Sequence, residues 1–285
     1  MPDGIEQSVN SLTVLDALVV FGGVALFARW LLTTSLGRDS LANSKPRRHG
    51  MAPFAPVVLF LVWLLGGGLL QMAAYRAAGS AEPWRRAFLG QLAYTVASLG
   101  VVALILILAK FEFARGLKGL GLRLKTIPKD LGYAFVTLLA VWPLVLAALT
   151  VTLLITRAIS GPDYRIPPHE ALKLITESPA VALKVLLAIV AVGIAPVIEE
   201  LLFRGLFQTT IRSYLRRPWP AIVLTSLLFT SIHLDVSHWP ALFVLSLGLG
   251  YAYEKSGSLW RPIFMHALFN GITVVTVLTQ APPGL

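Results

Sequence analysis

Long apolar runs, separated by short basic or proline-rich stretches, set the pattern of this chain. Eight runs stand out, at roughly 12–34, 52–74, 88–109, 131–156, 181–203, 220–234, 240–254 and 262–280. Several approach the twenty or so residues that a helix needs to cross about 30 Å of hydrocarbon. No period-2 alternation bounded by turn signals is present, which argues against an outer-membrane barrel. The pattern predicts an all-α, polytopic helical membrane protein with about eight transmembrane segments. The sixth and seventh runs are short for a bilayer, and predict half-helices or helices buried inside the bundle.

The breaks divide the chain into three parts. Residues 1–156 hold about four N-terminal spans, 157–180 form a Pro-rich extracytoplasmic linker ("SGPDYRIPPHEALKLITESP"), and 181–285 form a C-terminal transmembrane core. No internal repeat is visible, so a repeat-built transporter finds no support. The first residues, "MPDGIEQSVNS", carry acids and no Lys or Arg. Without a basic n-region, the 12–34 run predicts a retained helix rather than a signal peptide.

Composition strengthens this picture. Of 285 residues, 56% are hydrophobic and 13% charged, and mean hydropathy is +0.75; soluble domains carry about 25% charged residues. The absence of cysteine excludes disulfides, thiol nucleophiles and thiolate metal sites. A formal net charge of +10 could suggest nucleic acid, but the basic residues lie in short loops between apolar runs. There they act as topology determinants and contacts to anionic lipid, and no nucleic-acid partner is expected. Loops after the odd-numbered runs hold sixteen Lys or Arg against six on the other side. By the positive-inside rule the former are cytoplasmic and both termini are extracytoplasmic. The short length and lean loops point to a bacterial inner membrane. His233 sits awkwardly in this topology, late in a run that starts on the cytoplasmic side. Either that helix is short and sunken, or a span is miscounted.

Ionisable groups at bilayer depth cost on the order of 2.5–3.5 kcal/mol each on insertion scales. In the N-terminal part the main polar positions are Asp16 and Gln71; in the C-terminal part they are Lys184, Glu199, Glu200, Arg204, His233, His266 and Asn270. In "APVIEELLFRG" (195–205), Glu200 and Arg204 are i, i+4 and can pair on one helix face. Glu199 is turned about 100° from Glu200, which leaves it pointing into the bundle. The alternative is that all three anchor the end of the fifth span at the interface. Pro196 frees the carbonyl of Val192 and predicts a bend there. "LLFTSIHL" sets Phe229 and His233 at i, i+4, and "RPIFMHALFNGI" does the same for His266 and Asn270. Singly, these read as packing or interhelical hydrogen bonds. Together they assemble a carboxylate, two imidazoles and an amide from three hydrophobic segments. That set can activate water and stabilise an oxyanion. Glu199, His233 and His266 would also suit a divalent metal such as zinc. A proton-coupled carrier using the buried Glu and His as a relay is a further alternative.

In order, "EELLFRG", "FTSIH" and "HALFN" resemble the E-E-x-x-x-R, F-x-x-x-H and H-x-x-x-N motifs of the CAAX-protease and bacteriocin-processing (CPBP, or Abi) family. These are intramembrane proteases that include the type II CAAX prenyl endopeptidases. The resemblance covers about residues 180–280. It implies an all-helical endopeptidase with its catalytic site inside the C-terminal bundle, acting on a membrane-associated or lipid-modified peptide or protein. It further implies Glu199 as general base, His233 as a water-positioning or proton-relay group, and His266 and Asn270 as oxyanion stabilisers. Arg204 would hold Glu200. The family's metallopeptidase and metal-free glutamate mechanisms both fit these residues; Asn270, an oxyanion donor rather than a usual ligand, favours the latter. A non-catalytic immunity or scaffold protein of the same fold is the competing reading.

Overall fold

The computed structural model describes residues 14–167 and 170–280. The ends of the N- and C-terminal parts and residues 168–169 of the linker lie outside them. The described chain is helical: α1 (Val14–Thr33), α2 (Ala55–Ala77), α3 (Pro83–Glu112), α4 (Ile127–Ser160), α5 (Glu170–Glu177), α6 (Val181–Leu215), α7 (Pro218–Ser231), α8 (Trp239–Ser256) and α9 (Trp260–Gln280). Prolines at the first or second position start α2, α3, α4, α7 and α8, where the missing N–H costs nothing. Among the described residues the β-type contact is an isolated antiparallel bridge between His49 and Phe113.

Six helices among the described residues are long and apolar enough to cross a membrane, by length and composition. The polytopic all-helical architecture is therefore as the pattern predicts, but the count differs. The sixth expected span is α7, 14 residues long. At 1.5 Å per residue it reaches about 21 Å, short of the hydrocarbon thickness. The seventh is α8, which is helical over 18 residues but lies deep in the bundle, with Ser246, Gly248, Leu249, Gly250, Tyr253 and Glu254 buried. The fifth span is longer than expected. It runs on to Leu215 as a 35-residue helix, because π turns at Val190–Ile194 and Leu201–Gln208 carry the helix through its irregular stretches.

Three packing relations position the site. The α2–α3 hairpin lies against α6; α4 packs on α1, α8 and α9; α7 packs on α8. One buried cluster joins Trp63 of α2, Val101 and Ile105 of α3, Leu202 and Phe203 of α6, Phe229 of α7 and Ile263 of α9. Large apolar side chains such as Phe21, Leu32, Leu65 and Leu154 point outward, as on a lipid-facing surface.

Candidate active site

The site begins with a defect in α6. Within the π turn preceding Pro196, donors reach back five residues: the N–H of Ala195 bonds to the carbonyl of Val190. In that register the N–H that Pro196 lacks would have met Ala191 rather than Val192. The orphaned carbonyl of Ala191 is taken by Asn270, whose Nδ2 donates to it at 2.8 Å. The carbonyl that Asn270 meets is thus Ala191, one residue before the Val192 that α spacing points to, and Asn270 becomes the bolt between α9 and the broken turn of α6.

One turn further, Glu200 and Arg204 form the i, i+4 pair, Nη1 to Oε1, at 2.7 Å. Both are fully buried, at 0% exposure. They are not interfacial anchors at a helix end, because α6 continues past them to Leu215. The Arg204 Nη2 group donates to the Ser246 hydroxyl at 2.7 Å and to its carbonyl at 3.2 Å. The guanidinium also sits 4.7 Å over the ring of Phe229, a cation–π contact strengthened by desolvation.

His266 joins this pair from α9. Its Nδ1 lies 2.9 Å from Glu200 Oε1, and its Nε2 lies 3.9 Å from Glu199 Oε2. A carboxylate can only accept, so Nδ1 carries the proton and Nε2 is directed towards Glu199. The side chain of Glu199 is 14% exposed, against 0% for Glu200. The helical separation of the two carboxylates is thus realised: one is locked between Arg204 and His266, the other is more open.

His233 follows the last turn of α7. Its Nδ1 meets the carbonyl of Phe229 at 2.8 Å, and its own carbonyl accepts from Trp239 Nε1 at 2.7 Å. Phe229 lies between the two imidazoles, with ring centroids 5.0 Å from His233 and 5.8 Å from His266. The short helix resolves the topological misfit of His233. After the turn at Arg216 and Arg217, α7 returns antiparallel to α6, and His233 lies as many residues after Arg217 as Glu199 lies before Leu215. The two groups therefore return to similar depth.

Glu199, His233 and His266 do not assemble as a metal site. Among the described residues no group of three His, Cys, Asp or Glu is placed to hold an ion. The Nδ1 contacts of His266 to Glu200 and of His233 to a backbone carbonyl are ones a ligating imidazole also makes. It is the spacing of the three side chains that fails to bring together the three protein ligands a catalytic zinc takes, and no step below uses a metal.

Sequence reading missed the partners of Arg204. Arg204, Gln208 and Arg212 bond to Ser246, Gly250 and Glu254 respectively, each across a separation of 42 residues. The constant offset means α6 and α8 run parallel in register, joined by a three-rung polar ladder. Close approach requires Gly250, where a Cβ would stand 2.9 Å from Gln208 Oε1 and from Ile222 Cγ2. The i, i+4, i+8 spacing on α6 was the available signal. Of the other polar positions, Lys184 bonds to the carbonyl of Thr176 at 3.5 Å, Asp16 sits in the first turn of α1, and Gln71 lines a separate cavity.

Comparison with known proteins agrees with the motifs. Residues 181–272 match the family described as type II CAAX prenyl endopeptidase Rce1-like. A protein of Bacillus subtilis (strain 168), named "Putative membrane peptidase YdiL", is 26% identical over 98 residues, which is 33% of this chain and 38% of that protein. The chain thus matches less than half of that relative's length. No solved structure matches.

Proposed function

We propose, from the premise that residues 181–272 match the Rce1-like type II CAAX prenyl endopeptidase family, that this protein is an intramembrane endopeptidase. The observation that supports this most directly is the placement of His266 between two glutamates, 2.9 Å from Glu200 and 3.9 Å from Glu199. Arg204 neutralises Glu200 and leaves Glu199 to act as general base. Water attacks the scissile carbonyl carbon, its proton passes to Glu199, and the carbonyl π electrons move onto oxygen. Collapse of the tetrahedral adduct breaks the C–N bond, and the amine leaves with the proton held by Glu199. With Nδ1–H given to Glu200, His266 donates to the oxyanion through Nε2 when doubly protonated. Asn270 offers its second amide proton, and His233 positions the water or relays its proton.

The substrate class is a membrane-associated or lipid-modified peptide or protein, which reaches residues 181–285 through the bilayer. Residues 1–156 are the N-terminal helical part of the enzyme and 157–180 the extracytoplasmic linker. The protein spans a bacterial inner membrane with both termini outside, in contact with anionic lipid on the cytoplasmic side.

The test uses purified full-length protein and a panel of quenched fluorogenic peptides carrying prenyl or acyl anchors. Wild type should cleave at least one member. Glu199→Ala should lose on the order of 10³-fold or more in rate, within reach of the loss of a general base, with folding retained; His233→Ala should also be inactive. Glu199→Ala cleaving as fast as wild type would sink the mechanism.

A further inference from the structure

The motif residues leave the proposed site short of donors. One amide proton of Asn270 is committed to Ala191 and one imidazole proton of His266 to Glu200. In its singly protonated form His266 presents an acceptor at Nε2, so it can serve an oxyanion only by holding a second proton. Hydrolytic sites of this kind rely on preorganised donors aimed at the developing charge.

The N-terminal half supplies a candidate. Tyr94 lies on α3, the helix that packs against the 195–200 segment of α6, and it packs on the buried cluster that holds Ile198, Leu201 and Leu202, the neighbours of Glu199 and Glu200 in the chain. Among the described residues its hydroxyl has no hydrogen-bond partner, although the rest of the residue is firmly held. The ring lies against Gly67 of α2, where a Cβ would stand 2.9 Å from Cε2 and 3.1 Å from Cδ2. Its centroid is 6.3 Å from that of Trp63. Trp63 in turn donates from Nε1 to Ser98 Oγ at 3.1 Å, and Ser98 donates to the carbonyl of Tyr94 at 2.9 Å. Trp63 and the approach to Gly67 are set by the π turn Val62–Gly66, an irregularity of the sort that recurs at functional sites. A cavity of about 330 Å³, lined in part by Gln71, Gly90, Gln91, Leu183 and Leu187, lies one helical turn along α3 from Tyr94.

We infer that Tyr94 is a further catalytic residue: its phenol O–H donates to the carbonyl oxygen of the scissile bond and strengthens that bond as negative charge develops. The phenol keeps its proton throughout, so the balance of the hydrolysis is unchanged. This rests on the endopeptidase reading above. It also gives the N-terminal helices a direct part in the chemistry, outside the segment that matches the family.

Tyr94→Phe removes the hydroxyl and keeps the ring. On a peptide of the panel that wild type cleaves in a Glu199-dependent manner, kcat should fall about 10²–10³-fold, the usual loss for one oxyanion donor, with KM and Tm unchanged. Gly67→Ala, which displaces the ring, should lower kcat in the same direction. Gly66→Ala, where a Cβ meets nothing within 4 Å, should not. A Tyr94→Phe protein whose kcat stays within about threefold of wild type, or whose melting is clearly lowered, would mark Tyr94 as structural and overturn the inference while Glu199→Gln remains dead. If no peptide is cleaved, or Glu199→Gln matches wild type, the endopeptidase reading itself falls and this assignment falls with it.

Discussion

The two ends of the α6–α8 ladder bury the same chemistry with different balance. At the outer rung, Glu254 lies between two guanidiniums, 2.9 Å from Arg212 and 3.8 Å from Arg47. Arg47 also covers the ring of Tyr253 at 3.5 Å. This rung sets two guanidiniums against one carboxylate, with no imidazole among them. At the inner rung one guanidinium faces two carboxylates, and a histidine lies between them. Three ionisable neighbours, Glu199, Glu200 and His266, thus meet beside one guanidinium. One oxygen of Glu200 has no hydrogen-bond partner among the described residues. The outer rung is a fastener; the inner rung is the same fastener with a second carboxylate and an imidazole added, the groups that the proposed hydrolysis uses.

The comparison breaks most sharply by removing each carboxylate. Glu200→Ala leaves Arg204 buried without a counter-charge, a loss of about 3–5 kcal/mol for broken buried pairs. Glu254→Ala should cost a similar amount. Melting in detergent should show both losses, but activity per folded molecule should separate them. It should collapse in Glu200→Ala, which also frees His266, and stay near wild type in Glu254→Ala. Equal activity losses would erase the distinction between the rungs.

A smaller effect is expected from Asn270→Ala. One interhelical hydrogen bond in a membrane contributes about 0.6 kcal/mol, so melting should shift little. Cleavage should nonetheless drop well beyond what that shift explains, since the tie to Ala191 and the proposed oxyanion donor are lost together. A variant with both properties near wild type would reduce Asn270 to packing.

The smallest effect concerns the strap over the outer rung. Residues 48–50 bridge to the end of α3 through Gly50 N–H to Glu112 O and Ala114 N–H to Arg48 O. Burial there pushes the His49 pKa down, outweighing the backbone contact to Thr209 and the pull of Glu112. A depressed histidine pKa means the unfolded chain binds the proton more readily. This stability term is therefore flat above the ordinary histidine value near pH 6.5 and declines as pH falls below it. Melting temperature followed from pH 7.5 to about 5.5 should decline slightly more for wild type than for His49→Phe. Identical slopes would remove His49 from the account.

Much of this was legible in the chain because it is local. The Glu200–Arg204 pair and the turn of Glu199 away from that pair follow from helical spacing alone. So does the Phe229–His233 contact, since i, i+4 holds wherever the helix is placed. What escaped depends on register between segments. Ser246 and Glu254 look like ordinary helix positions until α6 and α8 are set parallel. His266 reaching Glu200 needs α9 beside the π turn. The prediction that the fifth span ends near 203 failed because Arg204, Gln208 and Arg212 resemble an interfacial fringe. In the bundle they are the face that α8 satisfies, so the helix continues. α7 and α8 are the short and the buried helix that the lengths of their runs predict; hydropathy alone does not separate them from lipid-facing spans, because it reports apolar composition.

The π run Leu201–Gln208 has a mechanical consequence. A π turn holds one residue more than an α turn, so relaxing it to α geometry would rotate everything on one side by about 100° relative to the other. Glu199 and Glu200 lie on one side and Arg212 on the other. Slippage of that kind would turn both carboxylates together relative to α8 and α9. The teeth at Arg204, Gln208 and Arg212 all engage α8 at once, so the helix cannot take up the slack without shearing the whole row. The ladder is a gear lock, and the quantity it locks is the azimuth of Glu199.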